Sequence, residues 1–359
     1  MGYLRCFMKK LFTALLLFTF LSSFAQKDSL QISFHVEPYY SNQMDNNAQH
    51  RRPEFMYSYN RDNEFNINLG LARLKYKSNN VRANLGIAGG TYMLANMFSE
   101  DYLTKTLFEA NAGHKISKKA DIWVDAGILP SHIGVETAIG SENYTLTRSI
   151  MADNSPYYET GARLSFTSSN GKLYLAGLIL NGWQNIEREN DQQEFSFGHQ
   201  LTISPNSKFS LNWSTFIGNM RGDDEGKSQR IYNNVYSTIH FNNKIDLIAA
   251  IDIGVQEIGV KNFLWSTAAI MTRYTITPKN KICLRVEYFN DDNHIIIAPS
   301  SEQPLTILGG SINYDRIVSE SLIWRIEWRT FYTEEKNFEQ EGIPKNSNNC
   351  ITTSWAFTF

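Results

Sequence analysis

From Gln31 onward, apolar and polar residues alternate with a period of two, in segments of about ten residues separated by turn residues. Ile32, Phe34 and Val36 alternate with Ser33, His35 and Glu37, and Phe65, Ile67, Leu69 and Leu71 with Asn66, Asn68, Gly70 and Ala72. Near the end, Leu322, Trp324, Ile326 and Trp328 alternate with Ile323, Arg325, Glu327 and Arg329. Side chains that point to opposite faces in turn belong to strands. The pattern predicts strands at 31–40, 65–77, 80–92, 103–116, 120–130, 157–168, 172–184 and 194–204. It continues at 208–220, 231–241, 244–256, 265–277, 281–290, 304–315, 321–332 and 350–359. That makes about sixteen strands, with about fourteen to eighteen inside the error of single-sequence boundaries. No convincing helical stripe interrupts them.

The links between these strands alternate in length. Turns such as Ser78-Asn79, Ser169-Asn170-Gly171 and Asn242-Asn243 alternate with long links at 41–64, 93–102, 131–156, 185–193, 221–230, 257–264, 291–303 and 333–349. A soluble sandwich mixes loop lengths at both ends. Short turns at one end and long loops at the other fit an all-β fold, a transmembrane antiparallel up-and-down β-barrel. Closure follows from solvation, since an unpaired backbone group in hydrocarbon costs several kcal/mol and a sheet there can have no free edge. Tyr39, Tyr40, Tyr76, Tyr92, Trp183, Tyr274 and Tyr332 fall near strand ends, where rings with a polar tip suit the two membrane interfaces.

Composition sharpens this picture. Net charge is −2, which argues against a nucleic-acid partner, and aromatic residues make up 13% of the 359, which suits interface belts. A negative mean hydropathy disfavours a helical membrane protein but fits a barrel with a polar interior. At the N-terminus, Arg5, Lys9 and Lys10 precede the apolar run Leu11 to Leu21, and Ser23-Phe24-Ala25 offers small residues for cleavage near Ala25. Residues 1–25 thus read as a signal peptide and 26–359 as a single barrel. The alternative, a helical anchor, needs about twenty apolar residues, more than this run supplies.

Chemistry is sparse. There is no G-x-S-x-G, H-E-x-x-H, P-loop or C-x-x-C motif, so neither enzymatic activity nor a cofactor is expected. Ser131-His132 adjacency is not triad geometry. His199 falls on an outward position of its strand, and no metal site is assigned to it. Asp223, Asp224 and Glu225 lie together in a long loop and read as a solvated acidic stretch, with a divalent cation as the alternative. Cys283 and Cys350 fall at opposite ends of their strands, too far apart for a disulfide.

The stretch Asp125-Ala126-Gly127, Ser131-His132-Ile133-Gly134, Glu136, Asn143-Tyr144, Thr147-Arg148-Ser149 and Pro156-Tyr157-Tyr158-Glu159-Thr160-Gly161-Ala162-Arg163 resembles the putative beta-barrel porin-2, OmpL-like family. Leu180-Asn181-Gly182-Trp183 fits the same pattern. The resemblance implies a porin-like barrel in the bacterial outer membrane. The terminal Trp355-Ala356-Phe357-Thr358-Phe359 resembles the signature read by the barrel assembly machinery, and Ser23-Phe24-Ala25-Gln26 is similar to exported proteins of Bacteroidota. The partners that follow are outer-membrane lipid and lipopolysaccharide, the assembly machinery through Phe359, and small hydrophilic solutes. A homo-oligomer is left open.

Charged residues of such a barrel face the lumen, because a mid-membrane Arg or Lys in lipid costs about 2–4 kcal/mol. Glu109, Asp121, Asp125, Arg163, Arg285, Arg325 and Arg329 are therefore lumen or constriction candidates. Glu109, Asp121 and Asp125 on the fourth and fifth strands would form an acidic wall opposite Arg285, Arg325 and Arg329 on the thirteenth and fifteenth. The alternative is local neutralisation by Glu287 and Glu327. The link 131–156 carries too many apolar residues to wave in water, so it is expected to pack on something: folded inward, by analogy with the corresponding loop of sixteen-stranded porins and with Ile133, Glu136 and Arg148 as its candidates, or, as the alternative, laid over other loops at the rim. Passive diffusion of small hydrophilic solutes is the leading function. The rival is a plugged barrel serving surface binding, adhesion or structure.

The loop alternation fixes an orientation, long loops outside and short turns in the periplasm. An epitope tag inserted at Asp224 should bind antibody on intact cells, and one at Asn206 should not; the opposite labelling reverses the barrel.

Overall fold

The computed structural model describes residues 29–44, 50–97, 100–101, 103–188, 194–220, 228–297 and 303–359. The expected signal peptide and the acidic stretch Asp223 to Glu225 lie outside the described residues. The strands are β1 (Ser29–Gln43), β2 (Glu64–Lys77), β3 (Val81–Gly89), β4 (Leu107–Lys115), β5 (Asp121–Pro130), β6 (Tyr158–Thr167), β7 (Leu173–Leu180), β8 (Ser196–Asn206) and β9 (Phe209–Met220). They continue as β10 (Ser228–His240), β11 (Ile245–Ile258), β12 (Lys261–Thr277), β13 (Asn280–Asn290), β14 (Thr306–Ser319), β15 (Leu322–Thr333), β16 (Phe338–Gln340), β17 (Ile343–Lys345) and β18 (Ser347–Thr358).

β1 to β15 and β18 form one closed antiparallel barrel of 16 strands, each paired with its neighbours in sequence, while β16 and β17 make a small hairpin within the last long loop. β18 closes the ring against β1, where Phe34 N donates to Phe359 O at 2.8 Å and Phe359 N donates to Phe34 O at 3.0 Å. The Phe34 and Phe359 rings stack with centroids 5.1 Å apart on the outer face of that seam. The terminal aromatic thus packs on the first strand and shields the last hydrogen bonds of the closure.

The period-two pattern has the expected consequence on β13. Leu284 and Val286 are exposed outward, 53% and 66%, while Arg285 and Glu287 between them are buried inward at 1% and 2%. Apolar exposure of this size suits a wall facing hydrocarbon rather than water.

Four details differ from the sequence expectation. First, Leu69 and Leu71 face inward, not outward, because a bulge opposite Glu37 puts Asn68 and Leu69 against one residue of β1 and flips the parity of β2. Second, the expected long link 257–264 is a tight turn at Gly259 and Val260, since β11 and β12 keep pairing through Ile258 and Lys261; Gly259 takes φ 60°, a conformation that favours glycine. Third, Tyr39, Tyr92 and Trp183 are packed inside the barrel rather than at its outer belts. Tyr274 and Tyr332 do face outward. Fourth, among the described residues two short α-helices occur, Thr91–Asn96 and Ile150–Asp153, too brief to write a helical period into the sequence. Cys283 and Cys350 are buried free thiols, and His199 lies on the outer face with its Nδ1 2.6 Å from Thr215 Oγ1.

Facing can be tested at one residue. Val286→Arg should cost about 2–4 kcal/mol of unfolding free energy in lipid vesicles, while Val260→Arg at the turn tip should stay within about 0.5 kcal/mol. Equal costs, read by urea titration, would contradict the assigned outer wall.

Candidate functional site

The link between β5 and β6 does not stay at the rim. It enters the barrel and touches most of the circumference. Ile133 packs with Leu178, Leu180, Phe216 and Trp265, and Ile139 with Leu69, Tyr92 and Ile128. Ile150 packs with Phe55, Phe289 and Phe331, and Tyr144 and Met151 with Ile248, Met271 and Cys283. These apolar side chains, buried against the inner faces of the strands, explain why the loop is so hydrophobic.

Polar contacts fix the path at both ends and in the middle. At the entry, His132 Nδ1 lies 2.6 Å from Glu159 Oε2 on β6 and its Nε2 lies 2.7 Å from the Thr215 carbonyl on β9. A carbonyl only accepts, so Nε2 carries a proton, and while Glu159 is an ionised carboxylate Nδ1 carries one as well and the ring is an imidazolium. Burial works against that charge, yet the Glu159 carboxylate holds the imidazole above its usual pKa. Space for the ring comes from Gly198, where a Cβ would lie 2.7 Å from His132 Nε2. Ser214 Oγ donates to the His132 carbonyl at 2.7 Å, and Gly134 N donates to Asn234 Oδ1 at 3.1 Å.

Across the lumen, three arginines grip the loop by its backbone. Arg325 donates to the carbonyls of Gly140 at 2.5 Å and Asn143 at 3.1 Å. Arg285 donates to the Thr147 carbonyl at 2.6 Å, and Arg329 to that of Arg148 at 2.7 Å. The neighbouring carboxylates grip it by its donors: Glu327 accepts from Thr147 N at 2.6 Å, Glu287 from Ile150 N at 2.7 Å, and Glu37 from Ser141 N at 3.2 Å. The same groups pair with each other across β14, Arg285 with Glu327 at 2.8 Å and Arg329 with Glu287 at 2.7 Å. Arg325 pairs with Asp315 at 2.7 Å. Each guanidinium is 1% exposed, which is tolerable only because every charge is paired and further hydrogen-bonded.

Inside the loop, Arg148 is wholly buried between the Tyr92 and Tyr157 rings, 4.7 and 5.1 Å from their centroids, and its Nε donates to the Thr137 carbonyl at 2.7 Å. Glu136 accepts from Ser149 N and Oγ, and burial raises its carboxyl pKa. Asp153 accepts from Ser58 Oγ of the first long loop at 3.1 Å, and burial pushes its carboxyl up to about 6. The inward-loop candidates Ile133, Glu136 and Arg148 are thus packing and bracing groups of the loop.

The expected acidic wall does not form. Glu109 pairs with Arg73 at 2.7 Å, Asp121 with Lys115 at 3.0 Å, and Asp125 with both Arg82 at 2.5 Å and Arg163 at 3.2 Å. Arg82 reaches Asp125 over β4 because Gly113 stands between them; a Cβ there would lie 2.2 Å from Asp125 Oδ1. Opposite, Arg285, Arg325 and Arg329 are neutralised beneath the loop. The local pairing that the sequence left as an alternative is what the register produces. The partners that sequence reasoning left out of the site, Glu37, Glu287, Glu327 and Asn313, do lie at inward parity. Only the loop path shows that they hold it.

Beyond the loop, toward the long-loop end, lies a cavity of about 1480 Å³, lined among others by Arg52, Phe55, Trp183, Arg230, Ile296 and Phe338. Toward the short turns, the inner wall carries partly exposed charges, among them Arg82 at 28%, Arg163 at 20% and Arg273 at 22% of their side-chain surface. The loop therefore separates a wide outer vestibule from a charged inner one.

The fold is similar to that of an anion-selective porin from Comamonas acidovorans, with a TM-score of 0.62 at 8% identity, covering 93% of this chain and 100% of that one. It is also similar to the outer membrane channel DcaP of Acinetobacter baumannii, with a TM-score of 0.65 at 9% identity, covering 93% of this chain and 98% of that one. The outer membrane protein OmpT of Vibrio cholerae, in a trimer form, matches with a TM-score of 0.60 at 7% identity over 93% of this chain and 100% of that one. A sequence search of curated proteins returns no match. A family model does match, over residues 29–359, and by it the chain belongs to the putative beta-barrel porin-2, OmpL-like family.

Proposed function

We propose that the protein is a channel for passive diffusion of small hydrophilic solutes across the outer membrane, with the loop between β5 and β6 as its constriction. The observation that carries this reading is the path of that loop through the barrel, hydrogen-bonded to β1, β6, β9, β10, β13, β14 and β15. Sixteen strands enclose more space than wall side chains fill, so an inserted segment sets the free cross-section. Porins and an outer membrane channel are among the structures that share the fold. On this reading no chemistry is performed and no cofactor is needed. Lipid and lipopolysaccharide surround the outer wall, and the assembly machinery reads Phe359. The large outer vestibule favours a second reading, a surface receptor whose loop closes the barrel.

Planar-bilayer recording separates the two. Wild-type protein should give discrete conductance steps, and deletion of 138–146, which removes the Gly140 and Asn143 carbonyls held by Arg325, should raise them markedly. Wild-type protein without conductance favours the receptor; a folded deletion mutant with unchanged conductance rejects the loop as the constriction.

The seating of the loop should depend on pH. Asp153, with its pKa pushed up to about 6 by burial, favours the folded state when protonated. Its contribution is complete below its unfolded pKa and is lost as pH rises through about 6. The raised His132 acts in the same direction, present below its ordinary value and lost as pH rises through the higher folded one. Proteolysis of the loop should therefore be slower at acid than at alkaline pH, and Asp153→Asn should flatten that dependence. A profile unchanged in the variant would show that Asp153 does not control the seating.

A further inference from the structure

On the inner wall of β2 to β6, toward the short turns, the charges do not cancel. Arg73 is matched by Glu109 and Lys115 by Asp121. What remains is Arg82, Arg163, Lys75 and Lys77 against the single carboxylate of Asp125. Lys75 and Lys77 share the inward parity of Arg73 on β2, are exposed, and form no ion pair among the described residues. Arg82 gives Nε and Nη2 to Asp125 at 2.6 and 2.5 Å, and Arg163 gives Nε and Nη2 at 3.3 and 3.2 Å, so neither uses its Nη1 there. The Arg82 guanidinium also lies over the Trp123 ring, 4.4 Å from its centroid, which fixes its direction.

We propose that this arc is a binding site for small oxyanions, a carboxylate or phosphate group carried by the solute, and that it makes the channel prefer anions. One carboxylate cannot offset two guanidinium groups and two ammonium groups. A recessed wall of low dielectric focuses the remaining positive field into the lumen. Guanidinium forks held in place by Asp125 and Trp123 present donors of the geometry that carboxylate and phosphate accept, at little ordering cost. Lys77 stands opposite Arg82 in the register and Lys75 one inward position further from the turn, so the ammonium groups extend the positive field along the wall beside the guanidinium groups. Gly113 is the local device on which this depends, because any side chain there would displace the carboxylate that holds both guanidinium groups.

The transport consequence rests on the channel reading, but the site itself does not, and two measurements separate them. In a bilayer with a potassium chloride gradient, the wild-type reversal potential should lie on the chloride side. Lys75→Gln with Lys77→Gln, both exposed and harmless to folding, should move it toward the potassium side. Arg82→Gln with Asp125→Asn and Arg163→Gln, which removes two guanidinium groups and their shared counter-charge for a net loss of one positive charge, should move it the same way by less, and both shifts should grow at low salt, where screening is weak. A conducting wild-type channel that is unselective or cation-selective, or one whose potential is unmoved in the folded variants, overturns the inference while leaving the channel intact. If the barrel does not conduct, calorimetric titration of the detergent-solubilised protein with inorganic phosphate decides. Binding weakened ~tenfold or more by the Arg82, Asp125 and Arg163 replacements upholds the site without the channel. No binding, or binding insensitive to them, overturns it.

Discussion

Lipid offers no hydrogen bonds, and this single deficit governs the molecule from its first strand to its last residue. Every backbone group in the wall must find a partner within the wall, so the sheet closes and the first strand pairs with the last. The seam between β1 and β18 is where closure is most exposed, and there the reciprocal Phe34 and Phe359 backbone bonds are covered by stacked rings. Outward positions are then committed to apolar side chains. Charge has only one direction left to go.

Closure with sixteen strands creates a second difficulty, an interior too wide to pack with side chains from the wall. The chain answers by sending 131–157 inward and binding it with the charges that lipid excludes. Arginines and carboxylates of β13 and β15 pair over the small residues of β14, where a Cβ at Gly309 would lie 2.6 Å from the Glu287 side chain. Their spare donors and acceptors are spent on loop backbone. At the clasp Arg285, Arg325 and Arg329 are matched by Glu287, Glu327 and Asp315, whereas on the arc of β2 to β6 Arg82 and Arg163 share the one carboxylate of Asp125.

Much of this was legible in the sequence because a strand between lipid and lumen writes both environments into alternate residues. All sixteen wall strands appear at their expected places, and Arg285 does reach Glu327 two strands away. What the pattern could not carry was anything set by register or path. The bulge at Glu37 reversed Leu69 and Leu71 with no change in composition. The continued pairing of β11 and β12 consumed an apparent loop at 257–264, leaving only Gly259 and Val260 in the turn. Asp121 and Asp125 looked like an acidic wall because their partners Lys115, Arg163 and Arg82 lie one or two strands away, and only the alignment of those strands makes them pairs. The apolar content of the inward loop was visible, but its contacts on the far wall depend on a route that no local pattern encodes.

The clasp on the loop is made largely through main-chain groups, the carbonyls of Gly140, Asn143, Thr147 and Arg148 and the amides of Ser141, Thr147 and Ile150. A main-chain group is present whatever residue occupies the position. At exposed positions such as Glu142 and Thr137, side chains are thereby released from the task of anchorage. Such a division lets the lining of the passage drift from one solute to another over evolutionary time while the segment that carries it stays put, and it offers protein engineers a scaffold whose aperture can be rewritten without refolding its frame.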